Sequence, residues 1–209
     1  MKFAVIGASR GIGLSLVKSG LSEGHEVTAL VRDPSKLAIS DSKLKILKGD
    51  IRDITAVRQA VSGQDAVCIC IGIPPTLKPV DVFSQGTSNV LTAIKSSPGL
   101  KLIVVTGIGA GDSKGHGGFF FDKIMKPLLL GTIYQDKDNQ ESILKSSAAN
   151  WLIVRPGFLT NGPRTAQYRV IDDLTNITAG KISRLDVADF ILKQLVTPTH
   201  FRKTPLICY

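Results

Sequence analysis

Apolar residues fall into short runs separated by stretches with helical spacing. Lys2–Ile6 is such a run, ending on glycine, and Glu26–Val31, Lys43–Leu47, Ala66–Ile71, Lys101–Thr106 and Trp151–Val154 repeat the pattern. The runs are brief, β-branched and nearly continuous in hydrophobicity, as strands buried on both faces are. Between them apolar side chains recur at helical spacing, first Ile12, Leu16, Val17 and Leu21, then within 54–61, 82–96 and 135–146. Strand and helix in alternation predict an α/β fold of three layers, with a doubly wound, mainly parallel sheet between helices. Near the end, Ser183-Arg184-Leu185-Asp186 fits an acidic capping box before a helix whose apolar side carries Val187, Phe190, Ile191 and Leu195. Pro198 follows that helix, and Leu206–Cys208 reads as a last edge strand. With no internal repeat and no linker, residues 1–209 are expected to form one domain.

Gly7-Ala8-Ser9-Arg10-Gly11-Ile12-Gly13 lies directly after the first run and opens the first helix. Gly7 permits a tight turn, Gly11 lets backbone approach a pyrophosphate, and Gly13 lets helix and sheet pack closely. Free N–H groups and a partial positive charge at the helix start suit phosphate, and Ser9 and Ile12 flank that site. In this strand–turn–helix context the motif predicts a Rossmann-type dinucleotide-binding domain. The end of the second strand selects between the nicotinamide cofactors. A site for NAD carries a carboxylate there, whereas this chain has Arg32, with Arg10 and Lys36 nearby. Two arginines suit a ribose 2′-phosphate, so the expected cofactor is NADP(H). The other reading leaves Arg32 in solvent and gives the ribose to Asp33. After the third strand, Asp50 and Ile51 are placed to meet the adenine, unless Asp50 caps the next helix. After the fourth, Gly72 and Ile73 let backbone approach the cofactor, unless Gly72-Ile73-Pro74-Pro75 is a plain turn.

Composition narrows the partners. The formal charge is +9, yet Lys and Arg are scattered with no run of five, so the surplus suits a small polyanion rather than nucleic acid. No apolar run is long enough to span a membrane, and the N-terminal run is too short for a signal peptide. Cys68 and Cys70 alternate on one strand face, where pairing is geometrically poor, and with Cys208 they read as reduced thiols. The expectation is a cytoplasmic protein with no membrane partner, a monomer or weak homodimer.

GASRGIG at 7–13, VRDPSK at 31–36, GDIRD at 49–53, VSGQDAV at 61–67, VVTG at 104–107, IVRPG at 153–157 and ISRLDVADF at 182–190 cover nearly the whole chain. In this order they resemble the short-chain dehydrogenase/reductase superfamily, in its NAD(P)H-binding, NmrA-like branch. Within it the chain is most similar to the biliverdin-IXβ reductase/flavin reductase group. That resemblance implies an NADPH-dependent reductase whose small-molecule acceptor is a flavin, a tetrapyrrole or a quinone-like compound. The substrate cleft is expected between 107–135 and 156–182, with Pro156, Gly157 and Phe158 beside the nicotinamide and Asn161 and Arg164 near the acceptor.

The departures from the family pattern carry chemistry of their own. Most of the superfamily pairs a tyrosine with a lysine four residues on. Here Asp138 holds that position relative to Tyr134, and Lys137 is one residue short, about 100° round the helix. Thr106-Gly107 stands where the family often has two serines, leaving Thr106, Tyr134 and Lys137 as the candidate catalytic set. The serine and histidine of the biliverdin reductase group are replaced by Gly107 and Phe158. Reducing an unactivated ketone requires a positioned acid, whereas a conjugated acceptor can take its proton from water. The chain therefore leans toward conjugated acceptors; the alternative is a non-catalytic NADP(H)-binding redox sensor of NmrA type. Gly107–Gly118 is rich in glycine and leads into Phe119-Phe120-Phe121, read as core anchors in preference to a mobile aromatic flap. His116 lacks a nucleophile partner, and no histidine pair has metal-ligand spacing.

Overall fold

In the computed structural model, which describes residues 1–209, β1 (Lys2–Ile6) decides the layering. Phe3 and Val5 enter one core while Ala4 and Ile6 enter the other, as alternation along a strand requires. β2 (Glu26–Val31), β3 (Leu44–Lys48), β4 (Ala66–Ile69), β5 (Lys101–Val105) and β6 (Asn150–Pro156) join β1 in register as parallel strands. The larger core lies beneath α1 (Gly11–Ser22) and α5 (Arg184–Val196), and both Cys68 and Cys70 face it. Burial pushes both thiols up, Cys70 to about 12, which leaves them inert as nucleophiles. The second core lies beneath α2 (Ile54–Val61), α3 (Val82–Ala93) and α4 (Gly131–Ser146). The fold is the expected doubly wound Rossmann type, with strand order β3-β2-β1-β4-β5-β6 reversing direction between β1 and β4.

The C-terminal third departs from expectation. Leu206–Cys208 forms β10, but it is an interior strand: it pairs parallel with β6 and antiparallel with β8 (Arg169–Ile171), which takes the edge. β7 (Phe158–Thr160) and β9 (Lys181–Ser183) form a separate parallel pair. Each of these strands has three residues, too few for periodicity to register. The Ser183 hydroxyl accepts from Asp186 N–H at 3.0 Å, as a capping box requires. The return contact runs through Tyr209, whose hydroxyl accepts from Ser183 N–H at 3.1 Å and donates to Asp186 at 2.6 Å.

A buried ion cluster joins α4 to the sheet. Arg155 of β6 and Glu141 of α4 are each 1% exposed, and the guanidinium Nε donates to the Glu141 carboxylate at 3.0 Å. Nη2 donates to the second Glu141 oxygen at 2.5 Å and also reaches Asp112 in the glycine-rich loop. Lys145, one helical turn from Glu141, pairs with Asp112 from the solvent side at 3.3 Å. Removing one member of a buried pair leaves its partner desolvated and uncompensated. Glu141→Gln should therefore lower unfolding free energy by about 3 kcal/mol in denaturant titration. Lys203→Ala, which removes only an exposed pair with Asp172, should change it by less than about 1 kcal/mol.

Candidate functional site

The phosphate turn sits at the carboxyl end of β1, beside the point where strand order reverses. Gly7 adopts φ +92°, and a Cβ there would lie 2.8 Å from the Cys70 carbonyl oxygen, so only glycine fits. Gly11 adopts φ +60° and has open space on its free side, bounded only by the Arg184 side chain, with Nε at 3.8 Å. A Cβ on Gly13 would collide with the Gly7 carbonyl. Gly13 thus packs against the turn itself, not against the sheet as the sequence suggests. Ser9 and Ile12 lie within the turn, and Ile12 is buried. No side chain caps α1 and its first turn holds no acid, so its leading N–H groups remain available to an anion.

Basic groups surround this open helix end. Arg10 Nη2 donates to the Gly72 carbonyl at 2.9 Å, tying the turn to the loop after β4. Gly72 is exposed with open space where a Cβ would stand, and Ile73 beside it is half-buried. Arg184, the first residue of α5, is held by the Asn161 side-chain oxygen at 2.7 Å and faces Gly11. The sequence gives no local signal for Arg184, because its role depends on α5 packing beside α1.

A cavity of about 60 Å³ next to the turn is lined by Gly7, Ser9, Val31, Arg32, Asp50 and Ile51, among others. Arg32 is exposed and pairs with no carboxylate, while Asp33 accepts from Ser35 N–H at 3.2 Å and from its hydroxyl at 2.7 Å. Lys36 also turns to Asp33, at 3.6 Å. Asp33 is thus engaged in its own turn, and Arg32 is the free charge at the strand end. Asp50 accepts from Arg52 N–H at 2.9 Å and from its guanidinium at 3.2 Å; Asp53, not Asp50, caps α2. Ile51 is buried beneath Gly86 of α3. These residues fit a dinucleotide: open glycine backbone and an uncapped helix end stand beside Arg10 and Arg184, and Arg32 lines the adjoining cavity.

Tyr134 and Lys137 lie three residues apart on α4, hence on one face. Lys137 Nζ donates to the Thr106 carbonyl at 2.5 Å and lies 5.2 Å from the Tyr134 ring centroid. The lysine thus meets the ring rather than hydrogen-bonding the hydroxyl, which lies against Gly107. Lys126 approaches the same ring at 4.9 Å, from the π-helix 121–130 that precedes α4, and was not anticipated. Thr106 requires a correction: its hydroxyl is buried and donates to Glu141 at 2.8 Å, so it positions neighbours and has no free donor for a substrate.

The rest of the expected cleft is divided. Phe121 is buried, edge-on to Tyr134 at 5.7 Å and to Phe158 at 5.4 Å, but Phe119 and Phe120 are 77% and 65% exposed and are not core anchors. Pro156 is buried, and Gly157 backs onto the Gly180 carbonyl as a packing glycine. Arg164 is tied to Asp189 of α5 at 2.8 Å, away from Tyr134, and so leaves the acceptor side. His116 Nδ1 lies 2.8 Å from the Ile177 carbonyl, and no cluster of His, Cys, Asp and Glu has the makings of a metal site. No helix is long and apolar enough to cross a membrane.

Burial shifts both titratable groups. Desolvation raises the Tyr134 phenol well above its usual 10, with Asp122 adding to the effect. Desolvation lowers Lys137 to about 8, partly opposed by Glu141. Between pH 8 and 10.5 the unfolded chain therefore holds a proton at Lys137 that the folded one has lost, so this group's contribution to stability rises with pH across that window. Unfolding free energies of wild type and Lys137→Met should diverge in favour of wild type from pH 8 upward and run parallel below it. Parallel curves throughout would show that Lys137 titrates normally.

Comparison with known proteins agrees with this geometry. The chain is 30% identical over 208 residues to the uncharacterized chloroplastic protein At2g34460 of Arabidopsis thaliana, covering 93% of this chain and 72% of that one. The structure of ChuY, described as an anaerobilin reductase from Escherichia coli O157:H7, superposes with a TM-score of 0.82 at 22% identity, covering 100% and 97% of the two chains. A short-chain dehydrogenase/reductase from Veillonella parvula in complex with NADP superposes with a TM-score of 0.83 at 17% identity, covering 100% and 94%. A family model described as NAD(P)H-binding matches residues 7–198, from the first glycine of the phosphate turn to just beyond α5. The chain belongs to this NAD(P)H-binding family.

Proposed function

We propose that this protein is an NADPH-dependent reductase of conjugated acceptors, in the class of flavins, tetrapyrroles and quinone-like compounds. The observation that carries the cofactor half is the exposed Arg32 at the end of β2, which lines the cavity beside the phosphate turn and forms no ion pair. A 2′-phosphate satisfies that charge, while the ribose hydroxyl of NAD leaves it unmatched. The NADP-bound Veillonella structure supports the same choice.

When bound, NADPH supplies a hydride. The chain's own groups do the remaining work: the open Gly11 backbone and the N-terminus of α1 would receive the pyrophosphate, and Arg184, whose side chain stands beside Gly11, would add a guanidinium donor there. The cleft is assigned to segments 107–135 and 156–182, which meet where Phe121 packs on Phe158 and where Ala179 N–H donates to the His116 carbonyl at 2.8 Å. Lys137 holds positive charge beneath the cleft at neutral pH, which favours an acceptor gaining negative charge. Tyr134, its phenol held above the normal range, is a poor proton donor, which supports an acceptor that spreads charge over a conjugated ring and takes its proton from water. The ChuY neighbour, described as an anaerobilin reductase, supports a reductase reading.

Four experiments test this reading. Dissociation constants should favour NADPH over NADH by roughly ten- to a hundredfold, about 1.5–3 kcal/mol, and Arg32→Asp should narrow or invert the preference. Gly11→Ala should strongly reduce the rise in melting temperature that NADPH produces; a full rise would move the cofactor elsewhere. In a panel of flavins, quinones and tetrapyrroles, NADPH oxidation at 340 nm identifies the acceptor. Tyr134→Phe should keep turnover within a few-fold, since loss of a true general acid costs about 10²–10⁴. Tight NADPH binding with no turnover on any acceptor would identify a sensor instead.

A further inference from the structure

Nine large hydrophobic side chains are exposed, and five of them, Phe119, Phe120, Ile124, Leu128 and Leu129, fall within the π-helix and the two residues before it. Monomeric proteins scatter such residues singly, so a contiguous apolar stretch marks a contact surface. The inner side of the same segment is anchored: Phe121 packs on Tyr134 and Phe158, and Lys126 Nζ bonds the Gly109 carbonyl. The outer face is thus a built feature of a fixed helix. Leu77, 74% exposed, borders it, because Thr132 Oγ1 donates to the Thr76 carbonyl at 3.1 Å and holds that loop against the start of α4.

The lysines on this face are unpaired. Lys78 and Lys123 are exposed and form no ion pair. The acids nearby point elsewhere: Asp122 accepts from Gly117 N–H at 2.9 Å, and Asp81 lies 4.0 Å from Arg52. Protruding Phe and Leu beside uncompensated lysines, on a helix lying flat against the body, match the requirements of a bilayer interface: rings enter the acyl boundary while ammonium groups meet anionic headgroups. A second copy of this chain would carry the same positive charge and oppose association through this face. We propose that the outer face of the π-helix, with Leu77, docks the protein on anionic lipid surfaces. The cleft beside Phe121 then opens at the membrane boundary. The proposal does not depend on the acceptor or on turnover.

The test is co-sedimentation of the full chain with vesicles of phosphatidylcholine alone and of phosphatidylcholine mixed with phosphatidylglycerol. Binding should be seen with the anionic vesicles and weaken with added salt. Phe120→Ser combined with Leu128→Ser should cut affinity at least tenfold, by roughly the burial of two large side chains, while melting temperature and circular dichroism stay unchanged. Lys123→Glu should weaken binding to anionic vesicles in the same direction. Absence of binding at low salt, or binding that the double substitution leaves intact, overturns the proposal. Dimerisation in light scattering that the double substitution abolishes, without vesicle binding, overturns it in favour of a second copy.

Discussion

Arg155 and Glu141 sit where solvent does not reach, and four parts of the structure meet on them. Arg155 comes from β6, Glu141 from α4, Asp112 from the glycine-rich loop, and the Thr106 hydroxyl closes the set from the end of β5. A buried pair of this kind contributes little net stability compared with a well-packed apolar substitute. What it provides is registration: α4 can dock in only one rotation that keeps both charges paired. That rotation also sets where Tyr134 and Lys137 stand, since they lie two turns and one turn before Glu141 on the same helix. Lys137 then finds the Thr106 carbonyl at the strand end already held by Glu141.

Residues placed by local sequence were legible before the structure, and residues placed by distant packing were not. The glycine turn, the six parallel strands and the exposed Arg32 follow from short-range rules, because a tight turn, a buried strand and a strand end constrain their own neighbours. Asp53 rather than Asp50 at the cap of α2 is a shift of three residues that periodicity does not resolve. Arg184 faces the phosphate turn because two helices remote in sequence pack side by side, and Thr106 loses its free hydroxyl to a glutamate 35 residues on. The split of Phe119-Phe120-Phe121 into two exposed rings and one buried ring depends on the π-helix, whose wider turn no apolar spacing announced.

The two ends of the site are electrically alike and chemically different. Around the phosphate turn, Arg10, Arg32 and Arg184 offer planar guanidinium donors of the kind that meet phosphate bidentately. At Tyr134, the charges are the half-buried Lys126 and Lys137, which desolvation makes easier to deprotonate. A ligand spanning both regions therefore meets guanidinium donors at one end and lysines that lose their proton more readily at the other.

The interior position of β10 has a consequence for synthesis. Chain order makes it the last strand, yet the sheet requires it between β6 and β8. Until residues 202–207 emerge from the ribosome, the outer edge of β6, from Trp151 to Pro156, has no partner on that side. Unpaired hydrophobic edges recruit other chains. The nascent protein thus passes through a stage in which the edge of β6 is open to aggregation, and that stage ends only when the segment leading into β10 pairs along it.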